Sequence, residues 1–254
     1  MTNRLKSRLA AGRKCLGVWT AGISAITTET LAACGYDFLF IDHEHGPQGL
    51  METIPHLQAL AATECEPVIR VPWNDPVYLK RLLDIGAVSI MLPMIETAEQ
   101  AKAAVAACRY PPRGFRGFGP LRALGTEPDI DAYGRTAHER LLLIAQIESE
   151  KAVANVDAIA AVEGIDALYI GPNDLSGTLG HFREWEHPAL QKAIDAAFAG
   201  IRRAGKPAGI VPYGKKDTLT LFAEGYAMIA ASTELTLLRG AARAEVETIR
   251  RRFG

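Results

Sequence analysis

Hydrophobic positions follow two alternating rhythms along the chain. Short runs at residues 16–20, 36–42, 67–71, 88–92, 141–147, 167–170, 208–211 and 227–230 are rich in β-branched, aromatic and other apolar residues, and read as strands. Between them, apolar positions three and four apart predict helices over 27–34, 51–62, 76–85, 98–108, 151–161, 188–204, 216–224 and 235–252. Gly35, Gly86, Gly164, Gly205 and Gly225 stand where helices should stop. Strand–helix alternation implies parallel strands joined by right-handed crossovers, and runs such as 141–145 are apolar on both faces, as strands between a core and a helix layer must be. Eight such units fit an α/β chain folded as a single (β/α)8 TIM barrel over residues 1–254. A doubly wound open sheet is the alternative, but no G-x-G-x-x-G follows the first strand, so no nucleotide cofactor is expected.

Composition narrows the function classes. The 254 residues are 48% apolar and 22% charged, with 28 Lys+Arg against 29 Asp+Glu, which suits a soluble globular protein and excludes a disordered or collagen-like chain. A formal charge of −1 supplies no basic footprint for nucleic acid. The longest apolar runs, 87–95 and 141–147, are broken by Ser89, Pro93 and Gln146, and neither approaches the roughly 18 residues of a membrane span. Residues 1–14 are basic and lack acids, as in a transit peptide, but the apolar stretch after them is too short for a signal core; a short amphipathic helix over 4–11, with Leu5 and Leu9 one turn apart, is expected instead. Cys15, Cys34, Cys65 and Cys108 have no paired spacing, so reduced thiols in the cytoplasm are expected. The longest irregular stretch, 110–129, begins at the bottom of the predicted barrel, to pack there or to reach a neighbouring subunit.

A barrel enzyme carries its chemistry at the carboxyl ends of its strands. Read in order, those positions hold Trp19, the Asp42-His43-Glu44-His45 run, Arg70, Met94, Gln146 to Glu148, Gly171 to Asp174, Pro212 and Ser232. Ionisable residues concentrate after strands two, three, five and six. Glu148 and Asp174 end adjacent strands, and two converging carboxylates suit a hard divalent cation; the alternative is a pair of capping or salt-bridged acids. Zinc suits the site less, because only His43 and His45 lie at this end. His45 is a candidate general base and His43 a second one, with only one of the two expected to point into the site. Asp84, at the end of the helix over 76–85, is a candidate to orient an imidazole. Arg70 either pairs with a barrel acid or holds a carboxylate or developing enolate oxygen. The stretch from Gly171 to Gly177 reads as an ordinary turn or as an anion-holding one with backbone N–H groups at Asn173 and Asp174. None of the nine lysines ends a strand, so a Schiff-base lysine is not expected.

Five blocks in order, Asp42-His-Glu-His-Gly-Pro47, Arg70-Val-Pro-Trp-Asn-Asp-Pro76, Tyr110-Pro-Pro-Arg-Gly-Phe-Arg-Gly117, Gln146-Ile-Glu148 and Ile170-Gly-Pro-Asn-Asp-Leu-Ser176, make the chain resemble the HpcH/HpaI family of metal-dependent, pyruvate-specific class II aldolases. The resemblance spans essentially the whole chain. It implies His45 as base, Asp84 as the residue raising its basicity, Arg70 as transition-state stabiliser, and Glu148 and Asp174 as ligands of Mg²⁺, Mn²⁺ or Co²⁺. Gln146, Asn173 and Asp174 would contact the 2-oxo acid, with Trp19 beside them, and the reaction would join or release that acid and an aldehyde. It further implies a last helix exchanged with a neighbour and a homohexamer built as a trimer of dimers. Two departures touch the acceptor side or the subunit contacts: the 117–125 segment, and Glu234 where relatives often have Asp. A 2-oxo acid decarboxylase on the same site, or a silent barrel binding a 2-oxo acid, are the rival readings.

Overall fold

The computed structural model describes residues 3–22, 24–120, 122–125 and 129–253. Eight parallel strands, β1 (Cys15–Thr20), β2 (Phe38–Asp42), β3 (Glu66–Arg70), β4 (Ser89–Leu92), β5 (Leu142–Ile147), β6 (Ala167–Ile170), β7 (Ala208–Ile210) and β8 (Met228–Thr233), pair in sequence order, and β8 closes on β1. The helices are α1 (Arg4–Ala10), α2 (Ala25–Ala33), α3 (Leu50–Leu60), α4 (Pro76–Asp84), α5 (Ala98–Cys108), α6 (Ile130–Thr136), α7 (Glu150–Ala154), α8 (Val156–Ala160), α9 (Pro172–Thr178), α10 (Pro188–Arg203), α11 (Thr218–Glu224) and α12 (Glu234–Phe253). The (β/α)8 barrel expected from the rhythm is therefore the fold. Among the described residues no helix is long and apolar enough to cross a membrane.

Strand parity sorts the side chains into two cores. Phe38, Phe40, Val68, Met91, Leu142, Ile144, Tyr169 and Met228 fill the barrel, while Leu39, Ile41, Ile69, Leu143, Leu168 and Ile229 face the helices. Small residues oppose large ones across the ladder: Gly17 pairs with Phe38 and Gly209 with Tyr169. A Cβ on either glycine would overlap the facing ring. Below, α1 plugs the barrel with buried Leu5 and Leu9. Asn3 caps this helix by accepting from Lys6 N–H at 2.9 Å and reaches across to donate to Ser89 Oγ at 2.7 Å. The basic N-terminal stretch is thus a structural plug, in agreement with the amphipathic-helix expectation.

The segments 151–161 and 110–129 differ from the sequence reading, and the last helix, found where expected, is bare. The helix expected over 151–161 is broken at Asn155, whose side chain leaves the helical path to donate to the Glu96 carbonyl at 2.9 Å. The irregular stretch ends in a helix, α6, capped by Asp129, followed by a 3₁₀ turn, Ala137–Arg140. The part of that stretch comprising Leu121 and residues 126–128 lies outside the described residues. Finally, of the 20 residues of α12 only Glu234 is buried; Leu235, Leu238, Val246, Ile249 and Phe253 are each half or more exposed, or close to it.

The Gly17–Phe38 contact yields a stability prediction. Gly17→Ala should cost about 1–3 kcal/mol or more through overpacking, read as a lower urea midpoint at unchanged m-value; an unshifted midpoint would show that the barrel floor has slack.

Candidate active site

The inward parity of the strands carries Trp19, Asp42, Arg70, Gln146 and Glu148 to one mouth at the carboxyl end of the barrel. Arg70 is the centre of this arrangement. Its Nε and Nη2 donate to the two oxygens of Asp42 at 2.9 and 2.7 Å, and its Nη1 lies 3.0 Å from Glu44 Oε2. The guanidinium also sits 4.4 Å over the Trp19 ring, which is stacked on Phe40 at 4.1 Å. The salt bridge to a barrel acid and a role toward substrate are therefore compatible, because a guanidinium has five N–H donors and at least two remain here. Burial pulls the Asp42 carboxyl upward, but Arg70 outweighs it and holds the group below its usual range.

Glu148 is 2% exposed at the floor of the mouth. Its Oε1 accepts the Met94 N–H at 2.8 Å, and its other oxygen accepts from Gln146 Nε2. Met94 adopts φ 52°, a left-handed conformation costly for a side chain of its size, and that turn aims its N–H at the carboxylate. Desolvation pushes the Glu148 carboxyl up to about 8; the Met94 bond opposes this, and the charges of Glu44 and Asp174 add to it. Gly171 leaves room for this acid, since a Cβ there would lie 2.7 Å from Glu148 Oε2. Gln146 Oε1 is buried without a hydrogen-bond partner. Asp174, in the first turn of α9, is exposed on the rim. A buried acid raised by a second acid, beside an orphaned amide oxygen, is an oxygen donor set that fits a hard divalent cation.

The two histidines part company. His43 points outward to the helix layer, where Nδ1 meets Tyr78 OH at 2.8 Å and Nε2 meets Thr53 Oγ1 at 2.9 Å. Burial lowers its pKa to about 4, so it is a neutral structural residue. His45 is exposed on the mouth, with Nε2 3.8 Å from Glu44 Oε2. Asp84 does not join it within one chain. It ends α4 at the opposite face of the barrel, where its carboxylate accepts from Arg116 Nη2 at 2.7 Å and its carbonyl from Ala123 N–H at 3.0 Å. The acid nearest His45 among the described residues is Glu44, which the sequence reading named in the strand-end run without giving it a role. Burial raises the Glu44 carboxyl, with Arg70 opposing. The Gly171 turn opens α9, with Pro172 at its first position and the rim residues Asn173 and Asp174 following. Glu234 also has a task the sequence did not show: its Oε1 accepts Ala21 and Gly22 N–H at 2.8 and 2.6 Å, pinning the loop after β1. The mouth opens into a cavity of about 800 Å³ whose rim includes Phe182, Arg183, Pro212 and Thr236.

The Glu148 environment sets a pH dependence for the metal-free protein. Folding moves this carboxyl from its ordinary 4.5 to about 8. Between those values the folded state holds the proton more firmly, so stability declines as pH rises across that window. Glu148→Gln should remove this decline, gaining on the parent in urea unfolding as pH goes from about 5 to about 8. Parallel pH courses for the two proteins would overturn the assignment.

Residues 15–241 match the family model for HpcH/HpaI aldolase/citrate lyase. The chain is 39% identical over 249 residues to a 5-keto-4-deoxy-D-glucarate aldolase of Shigella dysenteriae serotype 1, covering 98% of this chain and 97% of that one. It is 41% identical over 242 residues to the protein of the same name from Citrobacter koseri, covering 94% and 93%. A crystal structure of an HpcH/HpaI aldolase/citrate lyase family protein from Burkholderia cenocepacia J2315 superposes with a TM-score of 0.91 at 36% identity, covering 98% of this chain and all of that one. Sequence blocks, barrel and relatives agree, and the chain belongs to the HpcH/HpaI aldolase/citrate lyase family of carbon–carbon lyases.

Proposed function

We propose that this aldolase reversibly cleaves a 4-hydroxy-2-oxo acid into pyruvate, or a close 2-oxo acid, and an aldehyde, with a divalent cation (Mg²⁺, Mn²⁺ or Co²⁺) held by Glu148 and Asp174. The observation that carries the reading is the buried guanidinium of Arg70, paired with Asp42 and Glu44 beside the buried carboxyl of Glu148. A bound divalent ion would supply Lewis acidity toward the 2-oxo group. In the cleavage direction His45 takes the proton of the C4 hydroxyl as the C3–C4 bond breaks, and the bonding pair moves toward the 2-oxo oxygen. The free N–H groups of Arg70 stabilise the charge that develops there. Return of that proton from His45 to C3 then gives the methyl group of pyruvate. Glu44 Oε2 lies 3.8 Å from His45 Nε2, beside the imidazole that carries the proton between these steps. Gln146, Asn173 and Trp19 bound the donor half of the substrate. A part for Asp84 in this chemistry requires a second copy of the chain to present it.

The acceptor side supports a diacid like the substrate named for the relatives, 5-keto-4-deoxy-D-glucarate. Arg183 reaches both the mouth and the cleft beside it, which also holds Lys215, and neither cation has a carboxylate partner among the described residues. The apolar side chains that α12 leaves uncovered support a homo-oligomer in which this helix packs on a neighbouring barrel. Reduced cysteines, three of the four buried, suit the cytoplasm.

Exchange of pyruvate methyl protons in D₂O, followed by NMR, tests the donor half directly. Exchange should require the divalent ion and fall by about 10²–10⁴-fold in His45→Ala with metal affinity retained; exchange at the parent rate would remove His45 as the base. For the acceptor half, Arg183→Gln should lower kcat/KM for aldol addition to succinic semialdehyde by about 10-fold or more while barely changing that for uncharged butyraldehyde. Equal losses with both aldehydes would speak against a carboxylate at Arg183.

A further inference from the structure

The segment joining α9 to α10 gathers a second set of ligand-type side chains, apart from Glu148 and Asp174. His181, Glu184 and His187 each offer a donor atom, and these atoms lie within 4.8 Å of one another. A ladder of backbone bonds builds the cluster: His181 N–H donates to Ser176 O at 2.8 Å, Glu184 N–H to His181 O at 3.0 Å, and His187 N–H to Glu184 O at 2.9 Å. Residues three apart therefore stack one per turn on the same side. His181 Nδ1 is 3.5 Å from Glu184 Oε2, and the two imidazoles are stacked with centroids 3.3 Å apart. Between the ligands, Arg183 is held at φ 60° while its N–H donates to Ser176 Oγ at 3.0 Å, so the path of the segment is fixed at a cost in backbone strain.

We infer that His181, Glu184 and His187 form a transition-metal site, with Zn²⁺ as the fitting ion. Two imidazoles and one carboxylate make the three-ligand set that leaves a zinc ion one open position for water. Zn–N bonds of about 2.0–2.1 Å place tetrahedral ligand atoms about 3.3 Å apart, a contraction of about 1.5 Å or less from the arrangement seen. Nitrogen donors also separate this site from the oxygen set at Glu148, which suits Mg²⁺. Loading has two local costs. The ion must lie in the plane of both rings, so the stack has to open. His187 must give up its 3.3 Å cap bond from Ala189 N–H, because a ligating imidazole either uses Nδ1 or carries its proton there. In return, the ion would fasten the segment that places Phe182 and Arg183 on the rim of the mouth.

The test titrates the metal-free full chain with Co²⁺ under a large excess of Mg²⁺, read by calorimetry and by visible d–d absorption. One equivalent with the bands of a nitrogen-containing, low-coordinate site is expected. It should persist in the Glu148→Gln, Asp174→Asn double variant, disappear in His181→Ala and weaken in Glu184→Gln; His187→Ala is avoided because it removes the cap of α10. Unfolding curves of the metal-free variants that match the parent establish that the comparison is between folded proteins. Co²⁺ binding unchanged in both His181→Ala and Glu184→Gln, bands lost in the double variant, or only weak, non-stoichiometric binding would each overturn the site.

Discussion

One guanidinium holds the mouth of this barrel together. Asp42, Glu44, Glu148 and Asp174 all face the same opening, and Arg70 is the buried cation among them. Without it their repulsion and desolvation would be uncompensated. Its bidentate grip keeps Asp42 ionised, whereas the dry floor keeps the proton on Glu148 to about 8. Two like groups thus acquire opposite states from their surroundings. The grip also propagates downward: Arg70 rests on Trp19, Trp19 on Phe40, and Phe40 meets Tyr169 edge-on at 5.3 Å. Tyr169 stands in the space that Gly209 leaves free, and Phe38, edge-on to Phe40 at 5.1 Å, in the space left by Gly17.

Much of this was legible in the chain. Strand boundaries lie within two residues of those expected, except that β8 runs on to Thr233, because apolar runs bounded by glycines leave little choice of register. Parity then delivers Trp19, Asp42, Arg70, Gln146 and Glu148 to one end. Glu44 and His45 lie past the end of β2, where alternation no longer orders side chains, whereas at the strand end parity separates Asp42 from His43. What it does not supply is the environment of His43, because Tyr78 and Thr53 are brought to it by two separate helices.

Other features depend on contacts distant in sequence. Asp84 has the residue type for an imidazole partner, yet a helix that runs back along the barrel leaves it at Arg116. The left-handed turn at Met94 follows from the need of a buried carboxylate for a donor, and nothing in Pro93-Met94 announces it. Glu234 likewise gains its role only when β8 closes beside β1 and offers it two backbone N–H groups. These are constraints of closure, and a local pattern does not contain them.

The plug made by α1 has a kinetic consequence. With Leu5 and Leu9 sealing the lower end and aromatic rings filling the interior, the mouth is the opening to the barrel interior among the described residues. On the proposed reading the 2-oxo acid sits on the floor, beside Glu148, and the aldehyde between it and the rim. Traffic through one opening would then be sequential: the donor would enter first and leave last, and an aldehyde arriving early would stand in its way.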